Sequence, residues 1–123
     1  MVYEKDLSER LLKFAVVLPD YVIQVGVILY LRTVKNSIET IDMKRQLVKA
    51  STSGGANYEE SQGSPTRPDA KTKIGISLKE MHESNYFLRI FNELKLGDAK
   101  QREYLVNESH ELKLILGSII RKL

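Results

Sequence analysis

Residues 51–63 read "STSGGANYEESQG", and the choice between two readings of them decides the fold. Small residues crowd the first half, with Gly54 and Gly55 adjacent, and Tyr58, Glu59 and Glu60 restore helical character before Gly63. The stretch is either a loop that cradles a phosphate or a helix stripped of side chains so that a neighbour can lie close. A phosphate loop needs a strand before it and a helix after it, and a P-loop also needs a lysine beside Ser or Thr. Here "KRQLVKA" precedes with a helical period and Asn57-Tyr58 follows. The steric reading is therefore preferred. A glycine inside a helix costs about 1 kcal/mol against alanine, so a pair is expected only where close packing offsets the loss. Ser51, Gly54 and Gly55 then form a seam for another helix of this chain or of a second subunit. Ser51, Thr52 and Asn57 are expected to hydrogen-bond across it, and a bend at Gly54 is the competing reading.

Working outward, the apolar spacing gives four helices. The first opens near Asp6 or Ser8 as N-cap and buries Leu7, Leu11, Phe14, Ala15 and Leu18. Pro19 kinks or breaks it. The run "YVIQVGVILYL" could be a strand by composition, but it has no partner of its kind, so continued helix to about Val34 is expected. The second helix starts among Asn36, Ser37 and Thr40 and carries Leu47, Ser51, Gly54 and Tyr58 on one face, with Val48, Thr52 and Gly55 beside it. "GSPTRPD" breaks the chain, and Thr66 or Asp69 caps the third helix, with Pro68 in its first turn. Ile74, Leu78, Met81, Asn85, Leu88, Phe91 and Leu94 stripe that helix, and Gly97 is expected at its C′ position. Asp98 caps the last helix, striped by Leu105, Leu112, Leu116, Ile119 and Leu123, with Arg121 and Lys122 at its C-terminal dipole. The economical packing is an all-α, antiparallel up-down four-helix bundle, one domain over residues 1–123.

Composition sets the outer bounds. The 123 residues are 42% apolar and 28% charged, the balance of a globular domain. Absence of cysteine excludes disulfides, thiolate metal sites and cysteine nucleophiles, and suits a reducing cytoplasm. The stretch "FAVVLPDYVIQVGVILYL" approaches the length of a membrane span, yet Pro19-Asp20 and Gln24 interrupt it, so it is read as buried core.

Residues 47–123 also resemble the four-helix-bundle proteins encoded in intervening sequences of bacterial 23S ribosomal RNA genes. The resemblance rests on Ser53-Gly54-Gly55-Ala56-Asn57, then Glu59-Glu60, then Leu78-Lys79-Glu80, Glu83 and Tyr86-Phe87-Leu88. Phe87 stands where the family usually has tryptophan, and Gly54 where it has a β-branched residue. "VLPDYVIQVG" looks like additional sequence before "VILYLRTVKN". The resemblance implies an antiparallel bundle assembled into a homo-oligomeric ring, a pentamer. Accessory variability determinants of diversity-generating retroelements are similar bundles that bind nucleic acid through basic surface and partner a reverse transcriptase. Asn57, Glu80, Tyr86 and Arg89 fall within the family signature, which assigns them no reaction. They are grouped here with Ser51, Gly54 and Gly55 as helix-packing or assembly residues.

The remaining chemistry is sparse. Di-iron bundles need Glu-x-x-His, but Lys79 precedes His82 and Asn107 precedes His110 at that spacing. No His-Glu-x-x-His zinc motif occurs, so no metal or cofactor is expected. Glu59, Glu60, Glu80 and Glu83 are expected to pair with cations such as Lys79 and Arg89 and set helix register. Lys44, Arg45 and Lys49 on the second helix and Arg67, Lys71 and Lys73 opening the third are the candidates for RNA or DNA phosphate contact, a modest patch on a chain of net charge +3. The expectation is a non-enzymatic, cytoplasmic, homo-oligomeric protein with no membrane span, acting as a nucleic-acid-binding accessory. A protein-binding scaffold is the alternative.

Overall fold

A computed structural model describes residues 2–16 and 26–123, with side chains from Leu7 onward. The described residues form helices α1 (Val2–Ala15), α2 (Val27–Leu31), α3 (Ile38–Gln62), α4 (Arg67–Glu93) and α5 (Ala99–Lys122), and no strand. The fold is an all-α bundle. Among the described residues α3 packs on α4, α4 on α5, and α1 on both α3 and α5, whereas the diagonal pairs α1–α4 and α3–α5 do not approach. That is a cyclic order of four long helices, with α2 a short bridge into α3. Links of a few residues force α3, α4 and α5 to alternate in direction, and the contacts agree. Gly54 faces Ser77 while Glu60 faces Lys73; Asn85 faces Ser109 while Asn92 faces Arg102.

The caps follow from local side-chain chemistry. Ser37 caps α3 by accepting from the Thr40 amide, and Thr40 Oγ1 accepts from the Ser37 amide in return, completing a capping box. Thr66 caps α4 with Pro68 in the first turn, and Asp98 caps α5. The expected stripes line the core except toward their ends, where Leu94 and Leu123 run past the neighbouring helices into solvent and Leu78 and Ile119 are half-buried. Leu7, Leu11, Phe14, Leu47, Tyr58 and Met81 are buried, as are Leu88, Phe91, Leu105, Leu112 and Leu116.

Three boundaries differ from the sequence expectation. First, α1 starts at Val2, so Asp6 and Ser8 lie inside the helix rather than at its cap. Second, the helix does not continue to Val34. α1 ends at Ala15, Gly26 is extended at φ −147° and ψ 164°, and α2 covers only Val27–Leu31. The expected kink at Pro19 and burial of Leu18 lie outside the described residues. The physical reason for the break is a close return of the chain: a Cβ on Gly26 would sit 2.9 Å from the Val16 carbonyl carbon and 3.0 Å from the Lys13 oxygen. Glycine lets the chain cross the end of α1 and restart as α2.

Third, α4 ends before Gly97. Leu94 is the C-cap and Lys95 takes the left-handed C′ position at φ 53°. The Leu96 amide donates to the Phe91 carbonyl at 3.0 Å and the Lys95 amide to Asn92 at 3.2 Å, the two bonds of a Schellman motif. Gly97 has a different task. At φ 69° it turns the chain beneath α2, where a Cβ would meet Thr33 Oγ1 and Val34 Cγ2 at 2.7 Å. The same corner is tied by Tyr30, whose hydroxyl donates to the Leu96 carbonyl at 2.6 Å and whose ring stands edge-on to Phe91. Burial pushes the Tyr30 phenol up to about 12. Buried Arg102 completes the knot, donating to Asn92 Oδ1 and to the Leu96 and Gly97 carbonyls at 2.8–3.1 Å.

Candidate functional site

Helix α3 is continuous through the glycine pair, so the expected alternative of a bend or break does not arise. Gly54 and Gly55 face different neighbours, because successive helical residues point about 100° apart. Gly54 is buried against α4, where a Cβ would lie 3.3 Å from Met81 Cε, 3.6 Å from Glu80 Cβ and 3.7 Å from the Ser77 carbonyl. Gly55 faces α1, with Leu11 side chain and backbone 3.6–3.8 Å from its added Cβ. The stripped flank thus seats two helices of the same chain.

The bond across the seam comes from an unanticipated residue. Ser77 Oγ donates to the Gly54 carbonyl at 2.6 Å, fully buried. Ser51, Thr52 and Asn57 do not reach across. Ser51 donates to the Val48 carbonyl, Thr52 to Val48 and Lys49, and Asn57 to Ser53, all inside α3. Short hydroxyl and amide side chains on a helix find the carbonyls three and four residues back before they find another helix. A sequence signal for Ser77 did exist: it lies three residues after Ile74 and four before Met81, on the buried stripe.

The basic candidates separate into two groups. Lys44 donates to the Val34 carbonyl and to Asn36 Oδ1, holding the link into α3. Arg45 pairs with Asp42 at 2.8 Å and Lys73 with Glu60 at 3.2 Å. Lys49, Arg67 and Lys71 are exposed and form no ion pair among the described residues. By the pairing of Gly54 with Ser77, Lys49 lies at the level of His82. Lys71 is about 17 Å further along the axis at the helical rise. The structure therefore does not gather the six into one patch. An open cleft of about 600 Å³ between α2 and α3 adds Arg32, which the sequence reading missed, beside Lys44 and Arg45. A second cleft of about 280 Å³ runs between α1 and α3 and is lined by Leu11, Leu12, Ala15, Gly55 and Ala56.

The other signature residues divide between seam and surface. Glu80 is half-buried at the seam, and its carbonyl accepts from Ser84 Oγ. Tyr86 and Arg89 are exposed; Tyr86 stands edge-on to Phe87, and the Arg89 guanidinium is 6.0 Å from the Tyr86 ring centroid. Neither Arg89 nor Lys79 pairs with Glu80 or Glu83 among the described residues. Helix α1 is instead fixed to α5 by Arg10, which reaches Glu108 at 2.7 Å and Glu111 at 3.0 Å. Asn85, 2% exposed, joins α4 to α5: its amide donates to Ser109 Oγ at 2.9 Å and its carbonyl oxygen accepts from Lys113 Nζ at 3.1 Å. Burial first, and Lys113 second, lower the His82 pKa; burial first, and Arg89 second, lower that of Lys113. Among the described residues no group of three or more His, Asp and Glu could hold a metal ion. No helix there is long and apolar enough to cross a membrane.

Comparison with known proteins places this arrangement. The family profile described as 23S rRNA-intervening sequence protein matches residues 22–118. The chain belongs to this family. The match reaches further toward the N-terminus than the motif-bearing region from residue 47, and it takes in α2 and the whole seam-bearing helix. A crystal structure from Bacteroides thetaiotaomicron, described as a protein with unknown function from the S23 ribosomal protein family, is 28% identical. It aligns with a TM-score of 0.76 over 93% of this chain and 97% of its own. None of the curated proteins compared matches the chain.

Proposed function

We propose that the protein is a non-enzymatic, cytoplasmic, homo-oligomeric bundle that acts as a nucleic-acid-binding accessory factor through basic surface repeated around a ring. The observation that carries the reading is a set of exposed cations without internal counter-charges. Lys49, Arg67 and Lys71 have no acid partner among the described residues, and Arg32 joins Lys44 and Arg45 at the rim of the α2–α3 cleft. Each chain offers only a few phosphate contacts. Repetition around a ring multiplies them, and phosphate contacts add in affinity and in salt dependence. The 17 Å offset between Lys49 and Lys71 suits a nucleic-acid backbone running along the bundle axis better than a compact ligand. Five copies and a reverse-transcriptase partner are extensions by family analogy.

A scaffold for protein–protein contact is the second reading. Its support is exposed apolar side chains, among them Leu94 at 56% and Leu114 at 59%. Two measurements separate the readings. Light scattering gives the mass of the assembly, and a monomeric mass removes the ring. Titration with structured RNA and DNA across a salt series follows, and each of Lys49→Gln, Arg67→Gln and Lys71→Gln is expected to reduce the salt slope by about one. No binding even at low salt overturns the accessory reading and leaves the scaffold.

A further inference from the structure

Two further cations and a histidine stand on the face shared by α4 and α5, apart from the basic residues invoked above. His82, Tyr86 and Arg89 follow one another on α4 at spacings of four and three, which places them on one face. Lys113 reaches across from α5 to the carbonyl oxygen of Asn85, 3.1 Å away. Asn85 lies three residues after His82 and four before Arg89, so the ammonium group meets α4 at a level between those two residues. This placement is built in. Asn85 is buried, and its amide is fixed by Ser109 Oγ at 2.9 Å and the Val106 carbonyl at 3.3 Å.

Lys113 is close enough to His82 and Arg89 to be felt: burial first, then Lys113, disfavours the charged form of His82, and burial first, then Arg89, disfavours that of Lys113. Glu83 and Glu93 lie on the same helix, yet none of His82, Arg89 and Lys113 forms an ion pair among the described residues. Elsewhere the fold does place acids beside such cations, at Arg10, Arg45 and Lys73. The like charges of Arg89 and Lys113, gathered without a counter-charge, are unfavourable until an anion arrives. Tyr86, 55% exposed, adds a flat wall beside Arg89.

We propose that His82, Arg89 and Lys113 form a phosphate-binding site, with Asn85 positioning Lys113 and Tyr86 walling one side. The guanidinium offers a fork of donors that matches two phosphate oxygens, and the ammonium supplies a compact charge to a third. The group bound is a phosphate, carried either by a small phosphate compound or by a nucleic-acid backbone. The site stands independently of the accessory reading, which uses α2, α3 and the head of α4.

The test titrates the full chain with inorganic phosphate, adenosine monophosphate and a single-stranded oligonucleotide at matched ionic strength. The His82 and Lys113 side-chain resonances are followed. Arg89→Gln and Lys113→Gln are each expected to weaken binding about tenfold, the scale of one charge-assisted contact, and the exposed Lys100→Gln to leave it unchanged. Binding of all three probes identifies a small phosphate compound as sufficient; binding of the oligonucleotide alone identifies the backbone. Should Lys113→Gln unfold through loss of its Asn85 contact, the exposed Arg89→Gln decides the matter. Unchanged affinity in Arg89→Gln, or no response of His82 and Lys113 to any probe, overturns the site. Oligonucleotide binding lost in Lys71→Gln but kept in Arg89→Gln overturns it too, while supporting the accessory reading.

Discussion

Gly55→Ala is expected to stabilise the protein, although the residue sits in the seam that defines the fold. The added methyl meets Leu11 Cβ at 3.6 Å and the Leu11 backbone at 3.8 Å, ordinary van der Waals distances. It projects toward the α1–α3 cleft of about 280 Å³, where apolar neighbours await it. Alanine also removes backbone freedom from the unfolded chain. The helix-propensity gain is about 1 kcal/mol at an interior position. For a domain of this size that raises Tm by about 4 °C. Gly55→Leu reverses the sign, because its branched end must pass Leu11, whose Cβ and backbone stand 3.6–3.8 Å from the added Cβ, and prise α1 outward before it reaches the cleft. Overpacking of this kind costs about 1–3 kcal/mol. Gly54→Ala falls between, since its methyl would stand 3.3 Å from Met81 Cε and needs that flexible end to shift. Thermal melts followed by circular dichroism give the ranking Gly55→Ala, wild type with Gly54→Ala near it, then Gly55→Leu. A lower Tm for Gly55→Ala would mean that α1 presses closer than described. An unchanged Tm for Gly55→Leu would mean that α1 does not cover this flank at all.

Ser77→Ala removes the buried bond to the Gly54 carbonyl and is expected to cost about 1 kcal/mol, read from the urea midpoint with an unchanged slope. Arg102→Met strips donors from the Leu96 and Gly97 carbonyls and from Asn92, with an expected loss of about 2–3 kcal/mol and early hydrogen exchange at the α4–α5 link. Tyr30 supplies a pH test. Its folded pKa is raised to about 12 from an ordinary 10, so the unfolded chain loses this proton first. The stability held in the neutral phenol is intact below pH 10 and falls as pH rises toward 12. Alkaline melts of Tyr30→Phe should show a shallower decline across that window, and an equal decline would remove Tyr30 as its source.

The helices were legible in the sequence because their signals are local. Ser37, Thr66 and Asp98 cap with their own side chains, and the stripes Leu47–Ser51–Gly54–Tyr58 and Ile74–Met81–Leu88 are periodic. The end of α1 was not legible, because Gly26 lies against Val16 and Lys13, a contact made only after the chain folds back. Gly97 misled for a related reason. It has the positive φ expected of a helix terminator, but Lys95 already occupies C′, and Gly97 is required by its approach to Thr33 and Val34. The polar contacts were least legible. Asn57 and Thr52 satisfied themselves within α3, whereas Ser77, Arg102 and Ser109 lie on buried stripes that were read only for their apolar members.

The seam bears directly on how copies of the chain could join. Ser51 and Gly54 are buried, Gly54 against α4, and the Gly55 flank is already met by Leu11 of α1. A second subunit cannot use that close approach without displacing a helix of the first. Any ring must therefore be built on other surface. The apolar side chains left in solvent, among them Ile38 and Ile41 on α3, Tyr86 on α4, Leu94 at its end, and Tyr104 and Leu114 on α5, are the available material. Replacing Leu114 with Lys should then lower the mass seen by light scattering while leaving the monomer's helical content intact. Replacing Gly55 with Leu should lower stability before it changes the mass. The opposite order, with Gly55→Leu breaking the assembly at unchanged stability and Leu114→Lys inert, would return the joint to the glycine flank.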